Sequence, residues 1–182
     1  MKTTLPYSFK LLHVVSWILF VGLAIDAGGY LTNMLYTLFV NPACAFGFWG
    51  HLDVSDLYTY NVNLFGCFTV LLVVVSLLKT ILFYQTLSLF HEKKINPSKP
   101  FNESLKKYLF QFAYIALGIG LCCYTGKSFT YWLTQQGVAM PALEKLKFDG
   151  SDVWLFMGIT LLVFAQLFTK GIELQSENDL TV

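Results

Sequence analysis

The sequence has no arginine. Its 12 basic residues are all lysine, 11 carboxylates oppose them, and the net charge is only +1. No basic surface for a nucleic acid is presented, so no direct nucleic-acid partner is expected. Charged residues make up 13% of the chain, about half the ~25% usual in a soluble domain, while 55% of it is hydrophobic. The mean hydropathy of +0.58 agrees. Folded in water, a chain of 182 residues would leave much of that apolar surface exposed; a lipid bilayer as partner removes the problem. Thiol chemistry is also thin. Cys44, Cys67, Cys122 and Cys123 form no CxxC pair, and three of them lie inside apolar runs, so neither a disulfide framework nor a zinc site is indicated. A thiol–quinone oxidoreductase would need exposed cysteine pairs, and Cys44 alone falls in an outer connection. There is no nucleophile motif, no glycine-rich phosphate loop and no carboxylate pair in a shared cleft. His13 and His91 fall at matching ends of two antiparallel segments, but one such pair predicts no haem or metal cofactor. His51 with Asp53 and Asp56 is too sparse for a metal site. An enzyme is not expected.

What the chain does have is long apolar runs. Four of them, 11–39, 62–90, 108–133 and 153–174, are long enough to cross hydrocarbon as helices. They lack the alternation of barrel strands, so the expected fold is all-α: a polytopic four-helix transmembrane bundle, antiparallel, in one domain. The first run follows Lys2 and Lys10 in the manner of a signal peptide. It is about twice too long for a signal-peptide core and has no small-x-small cleavage site, so it reads as a retained span. Lysine counts orient the spans. Lys2, Lys10, Lys93, Lys94, Lys99, Lys106, Lys107 and Lys170 stand at one side, against Lys145 and Lys147 at the other. Both termini, the basic 91–107 loop and the acidic 175–182 tail are therefore expected in the cytoplasm.

The outer connections, 40–61 and 134–152, look structured. The first carries Phe46, Phe48, Trp49, Tyr58 and Tyr60, aromatics suited to headgroup level. Asp53, Ser55 or Asp56 is expected to cap the second span, and KFDGSDVW repeats that grammar before the fourth, with Asp149 or Ser151 as cap. On the cytoplasmic side NPSKPF breaks the chain, and Asn102 or Ser104 opens the third span.

Against this apolar background the ionisable residues stand out. In LFVGLAIDAGGYL a carboxylate, Asp26, sits near the middle of the first span. At 3.6 residues per turn Gly22, Gly29, Tyr30, Asn33 and Thr37 share its face, so the acid belongs to a small, polar stripe turned towards protein. In the third span Ala113, Ala116, Gly120, Cys123, Lys127, Tyr131 and Thr134 recur at intervals of three and four. Lys79 lies deep in the second span, and Gln166, Lys170, Glu173 and Glu177 align at the cytoplasmic exit of the fourth. A lone charge at mid-membrane costs at least ~3 kcal/mol, so Asp26 needs a cation. Lys79 is the expected partner because it is too deep to reach either surface, whereas Lys127 can extend outward. Two readings stand for Asp26, Lys79 and Lys127: a structural charge pair that fixes helix register, or a ligand pocket or ion path.

The order LLHVVSWILFVGLAIDAG, LDVSDLYTYN, LLKTILFYQTLSLF, KGIELQSENDLTV resembles the bacterial domain of unknown function 2975 (DUF2975), a family of small four-span membrane proteins. The resemblance covers nearly the whole chain. It implies a plasma-membrane location and a gene neighbourhood holding a small helix-turn-helix regulator, and it carries over no catalytic residues. The expected function is that of a non-enzymatic membrane sensor or regulatory partner, signalling through the cytoplasmic loop and tail. The alternative is a small oligomeric channel or transporter using Asp26 and Lys79; four spans of this length rarely enclose a pore alone, so it would work as a homo-oligomer.

Overall fold

The computed structural model describes residues 7–91 and 103–180, and among these it is helical with no strand beyond a single Phe48–Leu52 bridge. The elements are α1 (Tyr7–Phe39), a 3-10 turn (Pro42–Ala45), the short α2 (Ser55–Tyr60), α3 (Val62–His91), α4 (Glu103–Gln135) and α5 (Ser151–Leu180). The four long helices are each long and apolar enough to cross a membrane. They start earlier or run later than the apolar runs alone: α1 from Tyr7, α4 from Glu103, and α5 on to Leu180 through most of the expected tail. Asn102 and Lys93, Lys94 and Lys99 of the basic loop lie outside the described residues.

Local chemistry sets the ends. Proline cannot continue α1, and beyond it Asn41 takes over, its Oδ1 accepting from the Ala43 amide at 3.0 Å to start the 3-10 turn. Asp53 Oδ1 accepts from the Ser55 amide at 3.1 Å and from its hydroxyl at 2.6 Å, which winds α2. Asn61 breaks α2 in an extended conformation and caps α3, its Oδ1 accepting from the amides of Asn63 (2.9 Å) and Leu64 (3.1 Å). The cap of the second span is thus Asn61, and the acid expected there serves the extra helix before it. At α5 neither expected cap bonds the first turn: Asp149 is exposed, and the turn closes through the Gly150 carbonyl, which accepts from the Trp154 amide at 2.9 Å. Just past the end of α4, Gly137 takes a φ of +83° that lets the Val138 amide turn back to the Leu133 carbonyl at 3.2 Å.

The helices pair in chain order, α1 on α3, α3 on α4 and α4 on α5. The backbones of α1 and α5 do not approach one another among the described residues. Both 40–61 and 136–150 lie at one end, where residues from each line a common cavity, so α1 and α4 run one way and α3 and α5 the other. The main core sits at this capped end. Tyr30, Phe48, Phe65, Phe68 and Phe148 are all nearly fully buried, and successive rings contact edge-on or tilted at centroid distances of 6.3 Å (Tyr30–Phe48), 6.0 Å (Phe48–Phe65) and 5.7 Å (Phe68–Phe148). Each such pair contributes about 0.5–1.5 kcal/mol beyond its buried area. Away from the cap, α1 and α5 bury few of their apolar residues, as helices in lipid do.

The tightest helix pair is α4 with α5, and glycine makes it so. A Cβ at Gly120 would fall 2.7 Å from Leu155 Cγ and 3.0 Å from its backbone nitrogen; one at Gly158 would meet Leu117 at the same two distances. The contact is reciprocal, glycine to leucine in both directions, and backbone atoms cannot yield. On α4 the buried face comprises Ala113, Ala116, Ile119, Gly120, Cys123, Gly126, Thr130 and Leu133.

The two halves repeat a local design. Leu52–Asp53–Val54–Ser55–Asp56–Leu57–Tyr58 answers Phe148–Asp149–Gly150–Ser151–Asp152–Val153–Trp154, and in both the serine opens a helix and the residue three before it is buried. In both, a glycine of the preceding long helix admits a ring from the connection: Gly29 lies under Trp49, and Gly126 under Phe148.

Candidate functional site

Asp26 lies 13 residues before the end of α1, roughly 20 Å down the helix at 1.5 Å per residue. Gly29, one turn further on, has no side chain, and the Trp49 ring fills that space: a Cβ there would sit 2.1 Å from the ring. Packed in this way, Trp49 Nε1 donates to Asp26 Oδ1 at 3.2 Å. The second carboxylate oxygen, Oδ2, accepts from Lys147 Nζ at 2.6 Å.

Lys147 comes from the connection between α4 and α5. Its neighbours Leu146 and Phe148 are fully buried, and Phe148 packs on Gly126, nine residues or about 14 Å below the end of α4. The connection therefore folds back along α4 and delivers Lys147 to the depth of Asp26. Lys147 takes a left-handed backbone, φ +58°, a conformation that costs a non-glycine residue about 1–3 kcal/mol. It is held there at both ends. Its side chain is bound by Asp26, and its carbonyl accepts from Lys79 Nζ at 3.1 Å.

The ion pair expected between Asp26 and Lys79 is thus replaced by a three-membered arrangement, Asp26–Lys147–Lys79. Lys79 reaches the backbone of the intervening residue, not the carboxylate, and its ammonium lies 5.9 Å from the centroid of the Trp154 ring in the first turn of α5. Cys123 and Asp149 are within electrostatic range of the same ammonium, and neither forms an ion pair with it. In water a half-exposed pair such as Asp26–Lys147 contributes up to about 1 kcal/mol. At membrane depth the comparison is with an unpaired carboxylate costing at least ~3 kcal/mol, so the pair matters more.

The other residues singled out in the sequence divide. Gly29 and Cys123 are buried beside the site, and Gly120 is buried in the α4–α5 contact. Asn33 bonds within its own helix, donating to the Gly29 carbonyl at 3.0 Å. Gly22 is exposed, with open space where a Cβ would be, because the packed face of α1 runs through Ser16, Phe20, Ala27 and Tyr30 and passes to one side of it. Lys127 is exposed and joins no ion pair among the described residues; the seam passes one residue before it, through Gly126. Gln166, Lys170, Glu173 and Glu177 are exposed on α5, far from Asp26, with Lys170 Nζ bonded to Glu173 Oε2 at 2.7 Å. His13 Nε2 accepts from Trp17 Nε1 at 3.2 Å within α1, and the side chain of His91 lies outside the described residues. At the cap, a cavity of about 290 Å³ is lined by His51, Asp53, Asp56, Met140 and Lys145. Among the described residues no three histidine, cysteine or acidic side chains converge as a metal-binding set.

Sequence reasoning missed Lys147, Trp49 and Trp154. The repeat of LDVSDLY in FDGSDVW, read in the sequence only as capping, ends on Trp154 and is the signal that could have marked it.

A family model described as a protein of unknown function, DUF2975, matches residues 33–182. The match takes in Trp49, Lys79, Lys147 and Trp154 and begins seven residues after Asp26. No curated protein and no solved structure matches.

Proposed function

The chain belongs to the DUF2975 family of proteins of unknown function, and from that premise we propose that it is a non-enzymatic membrane sensor, with Asp26 and Lys147 as its latch. The observation that carries this reading is that α1 and α5, whose backbones do not approach, are joined by one ion pair reaching from Asp26 to the segment that opens α5. Opening the latch frees that segment without disturbing the α4–α5 glycine contact, which then serves as a fulcrum. α5 is one continuous helix from Ser151 to Leu180, so a tilt at its start reaches Glu177 some 26 residues, or roughly 40 Å, away. The latch provides the two states that any such coupling requires.

In this reading the protein lies in a bacterial plasma membrane with both termini in the cytoplasm, following the lysine asymmetry. The exposed acidic face of α5, Glu173 and Glu177, then meets the cytosol and docks a soluble partner. The family resemblance suggests a small helix-turn-helix regulator for that role.

The test is a distance measurement by electron–electron resonance between nitroxides on exposed Leu12 of α1 and exposed Leu174 of α5, in liposomes. Asp26→Asn and Lys147→Met should shift or broaden the distance distribution in the same way. Distributions identical to wild type in both variants would reject the latch.

A further inference from the structure

We propose that Lys79 anchors the phosphate headgroup of an anionic lipid whose acyl chains occupy the opening between α1 and α5. The argument begins with the ammonium. A lysine has three N–H donors, and among the described residues Lys79 donates to one acceptor, the Lys147 carbonyl at 3.1 Å. The obvious anion at that depth, Asp26, is already taken by Lys147 and Trp49. Of the two lysines only Lys147 touches a carboxylate, and the remaining acid in range of Lys79, Asp149, is exposed and forms no ion pair with it. A half-buried ammonium with donors to spare is complementary to an anionic oxygen.

Position selects the lipid over a dissolved anion. Lys79 reaches across to the start of α5, contacting Lys147 and facing Trp154, while its own helix packs on α1. It thus lies between α1 and the start of α5, two helices whose backbones do not meet among the described residues. Both present exposed apolar side chains near that depth, Val21 and Ile25 on α1 and Phe156 and Ile159 on α5. Trp154, in the first turn of α5 with its ring facing Lys79, sets the ammonium level with the start of that helix, nearer one membrane boundary than the sequence depth of Lys79 suggests, and such a ring suits the boundary between headgroup and chain. An amphiphile satisfies charge and chains together; a free anion satisfies the charge alone.

The proposal deepens the latch reading by naming the cue, because a phosphate at Lys79 would compete for the ammonium that steadies the Lys147 carbonyl. It relies on that reading for this consequence and not for binding itself. The experiment reads tryptophan quenching in the full chain carrying Trp17→Phe and Trp132→Phe, so that Trp49 and Trp154 report. Vesicles hold one fixed ratio of phosphatidylglycerol to phosphatidylcholine, with bromine on the acyl chains of one lipid or the other. Quenching should be several-fold stronger with bromine on phosphatidylglycerol, should lose that preference in Lys79→Met, and should keep it in Lys79→Arg. Millimolar inorganic phosphate should leave it unchanged. Equal quenching by both lipids in wild type, or a preference that survives Lys79→Met, would overturn the proposal; abolition by inorganic phosphate would reassign the site to a free anion. Each result stands apart from the Asp26→Asn distance measurement, which can succeed where lipid preference fails.

Discussion

Lys147 reaches Asp26 across 121 positions of sequence, Nζ to Oδ2 at 2.6 Å, while its own carbonyl is held by Lys79. The pair closes a fold whose first and last helices are otherwise apart. Its strength is measurable. Asp26→Asn and Lys147→Met should each lower thermal stability in detergent, since each leaves one charge without its partner. The double variant should lose less than the sum of the two, with a coupling energy of about 1–3 kcal/mol. The same cycle between Asp26 and Lys79 should give a clearly smaller coupling, because those two act only through space and through the Lys147 backbone. A larger coupling for Asp26 with Lys79 would restore the simpler pairing and undo the latch.

The glycines of α4 and α5 make a sharper prediction because backbone atoms are involved. Gly120→Ala and Gly158→Ala each push a methyl to within 3.0 Å of a backbone nitrogen. Overpacking of this kind costs about 1–3 kcal/mol, and both variants should melt earlier. Gly22→Ala and Gly28→Ala meet open space on α1 and should be neutral or gain up to about 1 kcal/mol from helix propensity. Fluorescence-monitored melting of the four purified variants reads the contrast.

Trp49 offers a third. Gly29→Ala places a methyl inside the indole ring, so the ring must leave the face of α1 and give up its bond to Asp26. The emission of Trp49, in a background where it is the sole tryptophan, should move to longer wavelength as the ring enters a wetter setting. A spectrum unchanged from the parent would mean that the ring does not pack on Gly29.

How much of this was legible in the sequence follows from what local patterns encode. Four helices were plain because each apolar run exceeds the bilayer thickness, and hydropathy records exactly that quantity in no hidden way: Leu11 to Phe39 can be read residue by residue. The small, polar face around Asp26 was legible for the same reason, since helical period links Asp26, Gly29 and Asn33. The partner was not. Lys147 lies in a polar stretch 12 residues past the end of α4, where hydropathy alone places it at the surface. What carries it down is the burial of Leu146 and Phe148 on either side, a tertiary fact set by a ring fitting over Gly126. Asn61 was obscured in another way: the acids before it form so good a helix start that the break between α2 and α3 reads as one continuous beginning.

The α4 seam shows how one step of three in place of four redirects a helix face, and it gives the last prediction. From Cys123 the stripe read from the sequence steps by four to Lys127 and Tyr131 and then to Thr134, whereas the buried face steps by three to Gly126 and then to Thr130 and Leu133. The two diverge by a single residue, yet one places a lysine in the packed face and the other a glycine. In the structure Gly126 is buried, a Cβ there would lie 2.6 Å from the Phe148 ring, and Lys127 is exposed. Gly126→Ala should therefore dislodge Phe148 and with it the segment that presents Lys147, lowering thermal stability by about 1–3 kcal/mol. It should also reproduce the broadened α1–α5 distance of Lys147→Met. Lys127→Ala should leave both measurements where they are in wild type, within the ±0.5 kcal/mol or so usual for an exposed site. The reverse ranking, with Lys127→Ala the damaging change, would mean that α4 is turned by about one residue, and the glycine and the lysine would exchange roles.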